Sequence, residues 1–324
     1  MRKAFTLIEL IVVIGIIGIL AGVMMVSFSG GTDTARAAKC LANMRTLAQG
    51  AISYAAQYGR YPYAGSHAAI GVAGDGKTKY VEHIGWISWL SMNDEYNTHR
   101  NADRYATSFH ALPNISACCA DEDRATFAIT NGAMWKCVSE NKETYVCPMH
   151  AILAQRKNVT ARFSYAMSAY FGYDWTQGSK AATSDGSGYI SMNSTRLDRK
   201  LLFAELPFAV DGASDGANDV DEGTAYATSD DNLLTDCTLQ YKASVNGKSY
   251  NTKWSGTAEA MAFNHKSGKR YCAHVAFADG HVEKLIMPKS GSGLNSAQLT
   301  ALLCGGVDVS FDGSAYSLVT DGDK

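Results

Sequence analysis

The sequence predicts an α+β chain in which one long N-terminal helix packs on an antiparallel β-sheet head with long loops. Three observations predict it. Residues 10–26 run without a charge, apolar or glycine throughout. Residues 32–58 then repeat apolar positions at spacings of three and four, the period of a helix with one buried stripe. Towards the other end, Asp279-Gly280 separates two short runs rich in Val, Phe, Tyr and Ile, residues 271–278 and 281–286, which is a strong hairpin signal.

The opening run governs the first element. With residues 5–8 included it approaches the roughly 20 residues of a membrane-spanning helix. Arg2 and Lys3 precede it, as expected of a cytoplasmic flank. A secretory signal would be shorter and would stop at its small-residue cleavage site, whereas this run continues past Ala21-Gly22. Glu9 is the odd residue, because an ionisable side chain inside a spanning helix costs on the order of 3 kcal/mol unless it reaches the interface or finds a partner.

The amphipathic segment carries Leu41, Met44, Leu47, Ala48, Ala51, Ile52, Ala55 and Tyr58 on its stripe, and Gly59 with Pro62 ends it. A continuous helix over residues 5–58 would be about 80 Å long. A bend is expected at Ser29-Gly30-Gly31. Gly15, Gly18 and Gly22 are candidates for unwinding or close packing, with Gly18-x-x-x-Gly22 matching the small-residue contact pattern. Beyond the helix, residues 162–173 and 200–205 are further strand candidates. The connections are rich in Gly, Ser, Asp and Asn, and neither an internal repeat nor a second-domain linker is evident.

Composition bounds the function. Of 324 residues, 46% are hydrophobic and 19% charged, with a formal net charge of -2. That excludes a disordered chain and gives no electrostatic footprint for nucleic acid. A nucleophile elbow, a Gly-rich phosphate loop and a His-Glu-x-x-His motif are all missing, so no enzyme is expected. A membrane-tethered hydrolase, the enzymatic alternative, would need a convergent polar pocket in the head.

Eight cysteines, an even number in a domain beyond the membrane, favour disulfides whose connectivity spacing alone does not give. The candidates are Cys118, Cys119, Cys137, Cys147, Cys237, Cys272 and Cys304, the first four clustered so as to staple one loop region. Cys40 lies on the helix, either unpaired or bonded to the head. The alternatives are free thiols, or a zinc set of Cys147-x2-His150 with Cys137 and one of the adjacent pair, which lacks the Cys-x2-Cys spacing of strong zinc sites. Asp211, Asp215, Asp219, Asp221 and Glu222 crowd one loop, a calcium candidate without EF-hand spacing or else a solvated acidic loop. Residues 308–324 are a weaker acidic candidate, and no cofactor is certain. His265, His274, His281 and Asp279 can be imagined as a metal or acid–base cluster. The structural reading is stronger: His265 hydrogen-bonds the hairpin, and Asp279-Gly280 forms its turn. Cys272 and His274, two apart, share one face of a strand.

Lys3-Ala4-Phe5-Thr6-Leu7-Ile8-Glu9-Leu10 resembles the class III leader of type IV pilins and type II secretion pseudopilins. The resemblance implies cleavage by a prepilin peptidase between Ala4 and Phe5, N-methylation of Phe5, and pairing of Glu9 with the terminal amine of a neighbouring subunit. Ala4 stands where that family usually has Gly. Cys40-Leu41-Ala42-Asn43-Met44-Arg45-Thr46-Leu47 is further similar to the pseudopilin-like proteins named for a C-terminal His-x9-Asp-Gly motif. Tyr145-Val146-Cys147-Pro148, Ser164-Tyr165-Ala166-Met167 and Leu201-Leu202-Phe203-Ala204-Glu205 add to that likeness. Here thirteen residues, not nine, separate His265 from Asp279.

The pilin-like organisation so implied is a leader at 1–4, a transmembrane and assembly helix at 5–28, an amphipathic half at 29–60 and a globular β-rich head at 61–324. The implied function is a structural subunit of a type IV pilus-like or secretion-pseudopilus filament. The implied location is the inner membrane, single-pass, before assembly and a periplasmic or cell-surface filament afterwards. Implied partners are identical or related pilin subunits, the prepilin peptidase, an inner-membrane assembly platform and the lipid bilayer. Major secretion pseudopilins often carry a calcium loop, which supports the 211–222 candidate. The alternative is a minor pilin or adaptor whose large head binds secreted cargo or carbohydrate.

Overall fold

A computed structural model describes residues 7–64, 67–72, 78–83, 85–87, 126, 129–155, 161, 163–171, 192–193, 195–206, 238–239, 242–251, 261–289 and 293–319. Side chains are described for these except at 21–31, 67–72, 78–83, 154, 238, 242–243 and 250–251. Helix α1, Leu7–Tyr58, runs 52 residues without interruption. The bend expected at Ser29-Gly30-Gly31 does not break it. An interior glycine costs only about 1 kcal/mol, and a helix already nucleated on both sides propagates through such a cost. Gly59, at φ +73°, ends it by donating its N–H to the Ala55 carbonyl at 2.8 Å, the left-handed cap that glycine adopts without strain.

The second half of α1 behaves as its period predicts. Cys40, Met44, Leu47, Ala48, Ala51 and Ala55 are buried, and they pack on a sheet that assembles late in the chain. The strands are β1 (His67–Val72), β2 (Thr78–His83), β3 (Tyr165–Ser168), β4 (Leu201–Glu205), β5 (Thr238–Leu239), β6 (Lys242–Val245), β7 (Lys248–Asn251), β8 (His265–Ser267), β9 (Arg270–Phe277), β10 (Val282–Ile286), β11 (Val309–Phe311) and β12 (Tyr316–Leu318). Among the described residues the head also has two short α-helices, α2 (Pro148–Gln155) and α3 (Ser296–Cys304). The central sheet has the order β10-β9-β4-β3-β5, with β8 also on β9. Its pairings are antiparallel except the short parallel contact of β3 with β5.

The β9–β10 hairpin is where the sequence places it. Its turn is a three-residue connection: Gly280, at φ +93°, supplies the left-handed position, and the Phe277 N–H donates to the His281 carbonyl at 2.9 Å. Asp279 contributes differently, its carboxylate accepting the His281 backbone N–H at 3.1 Å. The hairpin tip rests on α1, since a Cβ on Gly280 would come within 2.8 Å of Ile52 Cδ1. Tyr61, just past the helix, fastens the same tip by donating its hydroxyl to the Ala278 carbonyl at 2.5 Å.

Strands β4 and β8 share one edge of β9. Val275 pairs with Glu283 of β10 on one side and Ala204 of β4 on the other. Cys272 likewise pairs with Ile286 of β10 and His265 of β8. The end of β4, the start of β8 and the middle of β9 therefore meet at a joint. The Ala262 N–H closes it by donating to the Glu205 carbonyl at 2.9 Å.

Several expectations fall on residues outside those described: the Ala4/Phe5 pair, the acidic loop from Asp211 to Glu222, and Cys118, Cys119 and Cys237. In the C-terminal region the acidic residues that are described have protein partners. Asp308 pairs with Arg196 at 2.7 Å and Arg199 at 3.3 Å. Asp312 caps a turn by accepting the backbone N–H groups of Ser314 and Ala315.

Candidate functional site

Two regions carry functional character, and the first is the start of α1. Leu7, Ile8, Leu10, Ile11, Val12, Val13, Ile14, Ile16, Ile17, Ile19 and Leu20 are all exposed, Leu7 at 77% and Leu20 at 53%. They occupy every face of the helix, so no rotation of it against the head would cover them. Glu9 lies among them in the first turn. Gly15 and Gly18 have open space around them. Among the described residues no helix is long and apolar enough to cross a membrane. The described side chains of this run stop at residue 20, short of the roughly 20 consecutive residues a span needs.

The second region is a buried polar cluster at the β4–β8–β9 joint. Glu205 ends β4, His265 opens β8, and His274 lies mid-β9, all three essentially unexposed. Facing them from α1 is Cys40, first on the buried stripe. Cys147 comes from the residue before α2. Asn43 of α1 holds that segment by donating to the carbonyls of Glu143 and Val146 at 3.0 and 2.9 Å. Ser164 accepts the Cys147 N–H at 2.5 Å. The cluster is thus assembled by long-range packing of five segments.

Its geometry centres on one oxygen. Glu205 Oε1 accepts from Cys40 Sγ at 2.7 Å and lies 2.9 Å from His265 Nε2 and 3.1 Å from His274 Nδ1. Cys147 Sγ lies 3.3 Å from the same His265 Nε2, and Tyr165 donates its hydroxyl to Cys40 Sγ at 3.4 Å. Glu205 Oε2 and His265 Nδ1 are buried without a hydrogen-bond partner.

Burial opposes the Glu205 charge, but the bonds from His265 and His274 outweigh it and lower its pKa to about 2. Burial opposes the His265 charge too, yet Cys147 and Glu205 raise its pKa to about 10. The Cys147 thiol is lowered to about 7, since hydrogen bonds from Cys40 and His265 overcome burial. Burial, then the contacts with Cys147 and Glu205, push the Cys40 thiol well up. Neighbouring His150 is lowered to about 4 by burial.

Cysteine, histidine and glutamate invite comparison with a nucleophile, base and orienting acid, but that geometry is not formed. Such a relay needs the two ring nitrogens to face different partners. Here Nε2 of His265 meets both Cys147 and Glu205, and the group has no exposed surface through which a substrate would enter.

The sequence-level candidates separate accordingly. His265 and His274 come together, ring centroids 4.3 Å apart, whereas His281 and Asp279 pair with each other at the exposed turn at 2.5 Å. His265 joins the hairpin through the β8 backbone, while its side chain serves the cluster. Cys40, Cys137, Cys147 and Cys272 are free thiols, and no disulfide joins two described residues. Cys304 is buried on α3. Among the described residues, the side chains that converge with metal-ligand spacing are Cys40, Glu205, His265 and His274. The zinc set built on Cys137, Cys147 and His150 does not converge. Sequence reasoning missed Glu205 and the Cys40–Cys147 approach. The available signal was that Cys40, Cys147 and Glu205 each sit inside one of the short segments that carried the pseudopilin likeness.

The family model for the prokaryotic N-terminal methylation motif matches residues 1–25. A fimbrial protein from Neisseria meningitidis serogroup A is 31% identical over 84 residues, covering 26% of this chain and 49% of the relative. The chain thus spans about half the length of the curated relative it matches. No solved structure matches. The family model does not reach the C-terminal His265…Asp279-Gly280 segment, which stands on its own geometry. With a long N-terminal helix leading into an antiparallel sheet, the motif and the fimbrial match make this chain type IV pilin-like.

Proposed function

We propose that the protein is a structural subunit of a type IV pilus-like or secretion-pseudopilus filament. The observation that carries this reading is the start of α1, apolar on every face and bare from residue 7 to residue 20, under an N-terminal methylation motif. Such a surface is stable only in lipid or against other helices of the same kind. The subunit waits in the inner membrane as a single-pass protein, and a prepilin peptidase removes residues 1–4 and methylates Phe5. An inner-membrane platform then passes it into a filament of identical or related subunits through head-to-tail contacts, which generate open helical assemblies.

Glu9 supplies the selectivity. Within hydrocarbon its carboxylate is far better placed beside the Phe5 amine of the neighbouring subunit than alone. A Glu9→Leu subunit therefore inserts normally but is under-represented in filaments when it competes with wild type, as counted by tagged-subunit quantification of sheared filaments. Equal incorporation would reject the pairing. The adaptor reading, with cargo or carbohydrate held by residues 61–324, draws support from the size of that head. Binding of glycan or secreted protein by the full-length protein in detergent is its test.

A further inference from the structure

We infer that Cys40, Glu205, His265 and His274 form a binding site for a divalent transition metal of the zinc class, with Cys147 beside it against His265. The four ligand atoms lie within 4.8 Å of one another and all four residues are buried. Three of them, Cys40 Sγ, His265 Nε2 and His274 Nδ1, aim at a single point now held by Glu205 Oε1, at 2.7, 2.9 and 3.1 Å.

A purely hydrogen-bonded network would spread its donors over both carboxylate oxygens. Here Oε2 is buried with no partner while Oε1 meets three. Leaving a buried carboxylate oxygen unsatisfied is costly, and converging donors around one centre is what a cation requires.

The donor set selects the ion. One thiolate, one carboxylate and two imidazoles suit zinc and its neighbours, while calcium and magnesium take oxygen ligands almost alone. Binding releases the Cys40 thiol proton to solvent and takes His265 and His274 as neutral imidazoles. One thiolate and one carboxylate with two neutral imidazoles then balance a divalent charge. Four protein donors in a closed, dry site mark a structural rather than a catalytic centre. The ligands come from α1, β4, β8 and β9, so the ion would pin the assembly helix to the sheet of the head. This role does not depend on the protein forming filaments.

The test uses the full-length protein in detergent, purified under reducing conditions and stripped with a chelator. Zinc added back is expected to bind at one ion per chain by elemental analysis and to raise the melting temperature. Cobalt is expected to give a thiolate-to-metal charge-transfer band and the visible bands of a tetrahedral ion. Cys40→Ser and His274→Gln should each weaken zinc affinity by roughly a hundredfold or more. Cys137→Ser, outside the cluster, should bind as wild type.

X-ray absorption on the wild-type zinc protein must report sulfur in the first shell, a readout that survives even if a variant fails to fold. Failure of the wild-type protein to take up zinc or cobalt overturns the site. So does a first shell without sulfur, or a Cys40–Cys147 disulfide found by mass spectrometry in protein isolated without reductant and unable to load metal.

Discussion

Residues 7–20 and residues 40–55 lie on one unbroken helix, yet the first leave their large apolar side chains bare and the second bury a stripe completely. Ile14 is 59% exposed, and Leu47 is not exposed at all. The difference lies in what interrupts the apolar residues. In the second half Arg45, Thr46 and Gln49 hold one side of the helix for water, so only one face seeks the sheet. In the first half Glu9 alone is polar, too little to distinguish a face, and the helix suits lipid or a bundle of its own kind. The same backbone thus serves two solvents.

The largest test of that contrast is a truncation. Leu47→Ala should destabilise the head by about 2–5 kcal/mol through lost burial and the cavity left behind. Ile14→Ala should change head melting by less than about 0.5 kcal/mol. Matched losses in thermal melting would erase the distinction.

A subtler test adds a methyl group. A Cβ on Gly50 would approach Val138 Cγ1 to 2.6 Å, with Met134 Cε at 3.2 Å and the Cys137 carbonyl at 3.3 Å. Gly50→Ala should therefore cost about 1–3 kcal/mol despite the higher helix propensity of alanine. At Gly18, where nothing lies within 4 Å, the same change should leave head melting unaltered and raise helicity by circular dichroism. A stabilised Gly50→Ala protein would show that the buried half packs more loosely than its distances say.

The smallest effect concerns how the buried half is fastened. Tyr61→Phe removes the bond to the Ala278 carbonyl and should cost about 1 kcal/mol, read by denaturant unfolding. Hydrogen exchange at the hairpin tip should rise in that variant. Unchanged exchange would locate the fastening elsewhere, in the contact of Ile52 with Gly280.

Much of the fold was legible because its signals are local. The 3.6-residue stripe gave α1, and the Asp279-Gly280 pair gave the hairpin. Residues 162–173 and 200–205 held β3 and β4. Helix α3 was missed even though Asn295 and Gln298 form a reciprocal capping box at its start, which a search for caps would have found. Helix α1 continues through Ser29-Gly30-Gly31, because two glycines weigh less than the helix on either side. The buried cluster was harder. Its most direct contact, Cys40 to Glu205, joins residues 165 positions apart, and no spacing rule spans that distance.

By itself the sequence determined the local facts: an N-terminal methylation motif, a helix greasy on every side, an amphipathic continuation and a late hairpin. Each is written in neighbouring residues, where backbone preference and side-chain period act directly. Only the tertiary structure decided that one cysteine of the helix faces a glutamate and two histidines at a joint between strands, while His281 and Asp279 pair outside. That choice depends on which edge of β9 receives β4 and β8. Sheet pairing is set by packing across the whole head, which short-range chemistry does not encode.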